Sequence, residues 1–184
     1  MSEREVEIDR RLKRASQLLF FQRHRRPGIR GWELKKILGK DFMDIIGLLN
    51  SELDRLNLQV KVVFEEGNIR DKPSEEQLDR ARFFVTIKNP LTASDLMASG
   101  WRIDDLAALA ASIALITSRQ GRAPRSDIEQ ILREKFPKWR VDINLDRFIR
   151  IGYLSKDEHD MLYIGWRSRA EIDQKTLMEL LLAK

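Results

Sequence analysis

The 184-residue sequence contains no cysteine, which excludes disulfide bonds, thiolate metal sites and cysteine nucleophiles. It contains only two histidines, His24 and His159, and they lie far apart in the sequence. The motifs of phosphate-binding loops, serine hydrolases and zinc proteases do not occur. Because the sequence offers no catalytic constellation, we expect a non-enzymatic protein with no cofactor and no metal site.

Long hydrophobic runs are missing as well. The longest mostly apolar stretch, residues 106–117, is shorter than the roughly 18 residues that a membrane-spanning helix needs. The first residues, MSEREVEIDRRLKR, are charged and lack the apolar core of a secretory signal. Hydrophobic residues make up 42% of the chain and charged residues 34%, as in soluble globular proteins. We therefore expect a cytoplasmic protein that makes no membrane contact.

Positive charge is present in excess and is unevenly placed. The net charge is +5 at pH 7, yet residues 10–40 alone hold eleven lysines and arginines against one acid, Glu33. The densest part is QRHRRPGIRGWELKK, residues 22–36. Residues 119–150 hold nine basic residues against five acids. Clusters of this kind favour a polyanionic partner.

Apolar spacing predicts three helices and two strands in the first half of the chain. The helices are expected at 8–24, at 31–38 and from a cap at Asp41, and the strands are LQVKVVF and RFFVTIK. The side chains assigned to the inward helix faces include those of Trp32, Ile37, Leu48 and Leu56. A polar segment rich in turn formers, EEGNIRDKPSEEQLDRA, separates the two strands. Three helices followed by a β-hairpin form the winged-helix pattern.

The second half repeats this order of elements. Helices are expected at 106–118 with Asp104 or Asp105 as cap, at 126–135 with Ser126 as cap, and from Asp142 or Asn144. GYLS and MLYIGW form the hairpin, and a closing helix covers 169–183. ELKKIL and DIEQIL occupy matching places, with an offset of 94 residues. The predicted fold class is α+β, mainly helical, with two tandem winged-helix domains at 5–90 and 103–184 and a linker at 91–102.

The second half also carries a family resemblance. The resemblance rests on a hydrophobic first helix at 107–116, a turn at Gly121, the pair Tyr153-Leu154 and the segment IGWRSRAEIDQKTLMELL. They resemble the second winged helix of the MAGE homology domain, which melanoma-antigen proteins share with the third non-SMC element of the Smc5/6 complex. Trp166, Arg169 and Ala170 match the family's Trp-Gly-Pro-Arg-Ala step, in which Arg167-Ser168 here replaces Gly-Pro.

The first half is similar to the family in pattern, through SQLLFFQRHRRPGIRGWELKKIL. The resemblance implies a kleisin-interacting tandem winged-helix (KITE) protein, and the absence of cysteine with the Arg/Glu/Ile/Leu bias suggests an archaeal relative. Such proteins serve SMC-type chromosome-organising complexes. They bind double-stranded DNA and a kleisin, and they pair through the first winged helix. We accordingly expect a nucleoid-associated homo- or heterodimer. Two alternatives stay open, a protein-binding adaptor for a kleisin or another helix, and a winged-helix transcription regulator.

The predicted DNA contacts lie in the two basic turns between first and second helices and around the third helix of the second half. Arginine pairs with phosphate through two parallel hydrogen bonds, and a helix that opens beside the turn directs free N–H groups outward. The candidates are Arg23, Arg25, Arg26, Arg30, Lys35, Lys36, Arg119, Arg122, Arg125, Lys138, Arg140, Arg147 and Arg150.

No group of side chains looks arranged to read bases, so binding is expected to be independent of sequence and sensitive to salt. The third helix of the first half carries Asp41, Asp44, Glu52 and Asp54 and is expected to repel phosphate. The alternative for every basic segment is a solvated face whose charges pair with neighbouring acids.

Overall fold

The computed structural model of the protein describes residues 3–21, 27–65, 73–89 and 100–182. The chain divides into two compact units, Met1–Pro90 (unit 1) and Leu91–Lys184 (unit 2). Each unit combines helices with one three-stranded antiparallel sheet, so the fold class is α+β. Among the described residues, no helix combines the length and the apolar character that a membrane crossing requires.

Unit 1 contains four helices and three strands in the described residues. In chain order they are α1 (Glu3–Phe20), β1 (Ile29–Arg30), α2 (Gly31–Leu38), α3 (Phe42–Asp54), β2 (Leu58–Val63), α4 (Glu75–Arg80) and β3 (Arg82–Ile87). Strand β3 lies in the middle of the sheet, with β1 on one side and β2 on the other. The core fills the space between the sheet and α1 to α3. Its fully buried members include Ala15, Leu34 and Phe83, and the Phe83 ring meets that of Phe42 edge-on.

Unit 2 repeats this arrangement and extends it at its carboxyl end. Its elements are α5 (Ile103–Ser118), β4 (Arg122–Pro124), α6 (Arg125–Arg133), α7 (Lys138–Arg150), β5 (Leu154–Lys156), β6 (Met161–Ile164), α8 (Trp166–Glu171) and α9 (Gln174–Leu182). Strand β6 is central, between β4 and β5. Ile113, Leu145, Phe148 and Leu162 are fully buried, and Trp101 stacks on Phe148 with ring centroids 6.3 Å apart.

Several helix boundaries differ from the prediction. Helix α7 begins at Lys138, with Pro137 as its N-cap, and not at Asp142 or Asn144. Helix α6 begins at Arg125, so Ser126 lies inside the helix and is not its cap. Residue Arg102, not Asp104 or Asp105, caps α5. Pro124 and Pro137, which have no backbone N–H to leave unpaired, stand at the N-cap positions of α6 and α7.

The remaining bounds differ less, except at the end of the chain. Helix α1 runs from Glu3 to Phe20, so it begins before the expected start at residue 8, and residues 22–24, expected to continue it, lie outside the described residues. Helix α2 has the expected bounds. The single closing helix expected at 169–183 is two helices, α8 and α9. Residues 90–99, most of the expected linker, lie outside the described part of the chain.

Four side chains assigned to the inward faces of unit 1 are exposed instead. Trp32 is 52% exposed, Leu56 is 67% exposed, and Ile37 and Leu48 are exposed as well. The buried stripe of α2 is formed by Gly31, Leu34 and Leu38, and Trp32 lies outside it. Helix α4, which lies inside the segment expected to be irregular, packs on α2 at Gly31. A Cβ atom there would lie 1.8 Å from the carbonyl oxygen of Leu78.

Candidate nucleic-acid interface

The basic turn of unit 1 lies partly outside the described residues, since Arg23, Arg25 and Arg26 belong to the segment 22–26. Arg30 is described, and it is the N-cap of α2. Its guanidinium lies 2.7 Å from the Glu65 carboxylate and also donates a hydrogen bond to the carbonyl oxygen of Arg80. Arg30 therefore ties the start of α2 to the far side of the sheet.

The two lysines of α2 differ in their surroundings. Lys35 Nζ lies 3.1 Å from Glu75 and 3.3 Å from Asp79, both on α4. The hydrogen bond to Glu75, and then that to Asp79, raises the pKa of Lys35. Lys36 is exposed and has no carboxylate partner among the described residues. Within the described part of the chain, Lys36 is therefore the cation of α2 that has no carboxylate partner.

Two arginines of the basic turn of unit 2 are also held by acids. Arg119 forms an ion pair with Asp127 of α6. Arg125 lies 2.8 Å from both Glu129 and Asp146, and it is mostly buried, with 17% of its side chain exposed. Arg122 is exposed on β4, opposite Tyr163 of β6. The turn thus presents less free charge than its sequence suggests.

The arginines of α7 surround a buried carboxylate on α5. Asp105 has 8% of its side chain exposed. It accepts hydrogen bonds from Arg140 at 3.3 Å, from Asn144 at 3.2 Å and from Arg147 at 3.2 Å. Arg147 also lies over the ring of Trp101, 4.7 Å from its centroid. Arg140 and Arg147 consequently bind the protein's own first helix in unit 2.

The predicted site residues fall into three groups. Arg23, Arg25 and Arg26 lie outside the described residues. Those with a carboxylate partner are Arg30, Lys35, Arg119, Arg125, Arg140 and Arg147. Those that are exposed, with no carboxylate partner in the described part of the chain, are Lys36, Arg122, Lys138 and Arg150.

The hairpin of unit 2 presents acids at its tip. Asp157 accepts hydrogen bonds from the backbone N–H groups of His159 and Met161 and from the Tyr163 hydroxyl, at 2.8–3.0 Å. The bond from Tyr163 lowers the pKa of Asp157, as do those from the backbone. Lys156 pairs with Asp160 at 2.6 Å. An acidic tip is unfavourable for contact with phosphate.

Within the described residues, no cluster of His, Asp and Glu could hold a metal ion.

The residues that carry the family resemblance form a clasp between the start of β5 and α8. Gly152 has a φ of +87°, and a Cβ atom on it would lie 2.3 Å from the Trp166 ring nitrogen. The fully buried Ser168 donates a hydrogen bond to the carbonyl oxygen of Tyr153 at 2.7 Å. The Tyr153 hydroxyl donates to Glu171, which also holds Arg167 at 2.9 Å. The clasp fixes α8 against the sheet.

The acids that neutralise these cations are the main residues that sequence reasoning missed. Asp105 was expected only as a helix cap, and Glu65 and Asp79 lie in the segment expected to be irregular. The spacing of Arg125 and Glu129, four residues apart on one helix, was a readable signal. The partners Lys35 and Asp79 lie 44 positions apart, so no local pattern could reveal them.

Comparisons with known proteins give a likeness to solved structures. No protein-family model and no curated protein matches the chain. Among solved structures, the chain is similar to a chain of the "Nse1-Nse3-Nse4 complex", with a TM-score of 0.64. The match covers 98% of this chain and 90% of that chain at 15% sequence identity. At this identity the likeness is one of fold, and it extends over both units.

Proposed function

We propose that the protein is a non-enzymatic, MAGE-like accessory subunit of an SMC-type chromosome-organising complex. The observation that carries the proposal is the likeness over 98% of the chain to a chain of the Nse1-Nse3-Nse4 complex. That name includes the third non-SMC element, whose family the sequence resembles. The partners that follow are a kleisin or an SMC protein and a second winged-helix subunit.

A tandem winged-helix fold underlies this role. In each unit three helices precede a β-hairpin, β2–β3 in unit 1 and β5–β6 in unit 2. A short strand between the first and second helices, β1 or β4, completes each sheet by pairing with the last strand. This order of elements supports two winged helices, each closed by its own sheet.

Duplex DNA binding without sequence preference is the second part of the proposal. Its support is the cluster of Arg23, Arg25 and Arg26, followed on α2 by the uncompensated Lys36. Because six other candidates already hold acids, we assign the principal phosphate contacts to the turn of unit 1. Arg122, Lys138 and Arg150 are the remaining candidates in unit 2.

A salt titration of DNA binding tests this assignment. Fluorescence anisotropy with a labelled duplex should show affinity that falls steeply with salt, since each phosphate contact contributes about 0.9 to the logarithmic slope. Arg23→Glu/Arg25→Glu/Arg26→Glu should lower the affinity at least tenfold and flatten that slope. Arg30 is left intact because its bonds to Glu65 and to the Arg80 carbonyl hold the fold.

A matched control separates a local site from general charge. Arg4→Glu/Arg55→Glu/Arg169→Glu makes the same change in net charge at exposed positions outside the predicted site. It should leave most of the affinity. Equal loss in both variants would show that no local site exists, and absence of binding at low salt would refute DNA binding itself.

A protein-binding adaptor is the second candidate function. It is favoured by the ion pairs that occupy six of the described candidate cations, because those charges then serve the fold. An adaptor would show no DNA affinity at low salt and would still bind a purified kleisin or SMC fragment from the same genome.

A further inference from the structure

The exposed side of α2 carries a tryptophan and a lysine one helical turn apart. Trp32 is 52% exposed, and Lys36 is exposed with no carboxylate partner among the described residues. Four residues advance a helix by about 6 Å and turn it by about 40° beyond a full turn, so the two side chains share one side of α2. The buried side of α2 is formed by Gly31, Leu34 and Leu38. We call Trp32 and Lys36 together the Trp-Lys pair of α2.

Three acids on or beside α2 are bound to other groups. Glu75 and Asp79 of α4 bind Lys35, which lies about 100° round the helix from the lysine of the pair. Glu33 accepts a hydrogen bond from the backbone N–H of Arg30 at 3.4 Å, so its carboxylate faces the start of the helix. The Trp-Lys pair therefore keeps its positive charge beside a large aromatic ring.

The other tryptophans of the chain have different surroundings. Trp101 and Trp166 pack against groups of unit 2. Trp139 on α7 is exposed, but the residue one turn further along that helix is Ile143 and not a cation. Trp32 is thus the tryptophan that combines exposure with a lysine one turn further along its helix.

Exposed aromatic residues also border the densest basic segment of the sequence. Residues 22–26 contain three arginines and one histidine, and Phe21 just before them is 79% exposed. Trp32 follows the segment after a short interval. Proteins that hold single strands combine positive charge, which attracts the phosphates, with aromatic rings on which the bases stack. The exposed residues around this segment have the same composition.

A duplex and a protein partner fit the pair less well. In a duplex the flat faces of the bases are stacked on one another, so a side chain on a helix meets base edges and phosphates. Protein interfaces use exposed tryptophan as a hot spot, but lysine is depleted from them. An unpaired nucleotide offers a flat face for Trp32 and a phosphate for Lys36.

We propose that the Trp-Lys pair of α2 binds an unpaired nucleotide of a nucleic-acid strand. The indole ring of Trp32 stacks on the base, and the Lys36 ammonium pairs with the adjoining phosphate. Stacking of this kind tolerates any sequence, since every base has a π-face. The proposal rests on the proposed nucleic-acid binding and deepens it, because it names the strand form that unit 1 recognises.

Two labelled probes test the proposal, an oligothymidylate of about 20 nucleotides, which does not pair with itself, and a duplex of the same length. In fluorescence anisotropy, Trp32→Ala should lower the affinity for oligothymidylate about tenfold and change that for the duplex less than about twofold. Retained duplex binding also shows that the variant is folded. Trp32→Phe keeps an aromatic plane and should keep most of the affinity for oligothymidylate. Trp139→Ala is the matched control in unit 2 and should leave both affinities unchanged.

A charge variant and a spectroscopic readout separate the two contacts. Lys36→Gln should weaken the binding of both probes and lower the logarithmic salt slope by about one. A stacked base quenches the fluorescence of an indole ring, so oligothymidylate should quench the emission of Trp32. This quenching should diminish in Trp32→Phe and persist in Trp139→Phe.

Three results would overturn the proposal and leave duplex binding intact. They are affinity for oligothymidylate that survives Trp32→Ala, an equal loss of affinity for both probes, and quenching that persists in Trp32→Phe. Self-association that Trp32→Ala abolishes would also overturn it, and would assign the ring to a second copy of the chain. If neither probe binds at low salt, the proposed nucleic-acid binding is wrong and this inference falls with it.

Discussion

In each unit, ion pairs connect the first helix to the third helix or to the residue before it. The first helix supplies the cation in unit 1 and the anion in unit 2. In unit 1, Arg11 of α1 lies 2.6–2.9 Å from Asp41, the residue before α3. In unit 2, Asp105 of α5 accepts hydrogen bonds from Arg140 and Arg147 of α7. Asp105 stands 94 positions after Arg11, the same offset that relates ELKKIL to DIEQIL. Matching positions of the repeat thus carry opposite charges, a cation in unit 1 and an anion in unit 2.

The two pairs also differ in their exposure to water. The side chain of Asp41 is 57% exposed, whereas that of Asp105 is 8% exposed. A buried carboxylate needs several donors to replace its lost hydration, and Asp105 has two arginines and Asn144. The basic character of α7 therefore follows in part from the acid on α5. A basic third helix in such a repeat is not by itself a sign of a DNA-binding surface.

The largest expected effect comes from removing the buried acid. Asp105→Ala leaves Arg140 and Arg147 partly buried without their shared partner, and we expect it to lower the free energy of unfolding by about 3 kcal/mol. Arg11→Ala, at the matching position of unit 1, should cost much less because its partner is exposed. Urea unfolding followed by circular dichroism measures both. If the two variants lose the same free energy of unfolding, the expected difference between the units is wrong.

An intermediate effect is expected at alkaline pH, and the tyrosines of unit 2 contribute to it. Both tyrosines of the chain lie there. Burial raises the pKa of Tyr153, so the folded state holds this proton more tightly than the unfolded state does. The stability that this group contributes is present below its unfolded pKa of about 10 and is lost as the pH rises above that value.

Tyr153→Phe supplies the control for this pH dependence. The variant should lose less stability than the parent protein between neutral pH and about pH 10.5, although it lacks the hydrogen bond to Glu171. Urea unfolding at the two pH values gives the comparison. If the variant and the parent protein lose the same stability between the two pH values, Tyr153 does not govern the loss of stability at alkaline pH.

The smallest expected effect is a gain in unit 1. Gly47 lies in the middle of α3, and an added Cβ atom would have no neighbour within 4 Å. Gly47→Ala should therefore stabilise the protein by about 0.5–1 kcal/mol through helix propensity alone. Gly31→Ala is the contrasting variant, because its Cβ atom would collide with the Leu78 carbonyl. A rise in melting temperature for the first and a fall for the second are expected in differential scanning calorimetry.

Local patterns in the sequence account for much of the fold. Helix α2 and strands β2 and β3 follow from apolar spacing, because a buried stripe needs a period of 3.6 or 2 residues. Helix α4 was not found, since it is short and polar and is stabilised by packing on α2. Its capping box of Ser74 and Gln77 was nevertheless visible in SEEQ. Trp32 was expected to be buried, but the buried stripe of α2 includes its neighbour Gly31, which lies against the backbone of α4.

The candidate site was less predictable than the fold. Basic clusters are visible in a sequence, but their free charge depends on acids that the fold brings close. Arg125 meets Asp146 from 21 positions away, and Asp105 meets Arg147 from 42. Ion pairs hold six of the predicted phosphate contacts against acids of the same unit, and most of these acids are distant in the sequence.

The clasp around Gly152 and Trp166 has a consequence for how relatives of this chain are recognised. The tryptophan stacks where only glycine leaves room, and the following residues bind the backbone of Tyr153. The most distinctive sequence signature of the chain is therefore a requirement for closing unit 2. A pattern built on it would group proteins by architecture and not by the partner that each one binds.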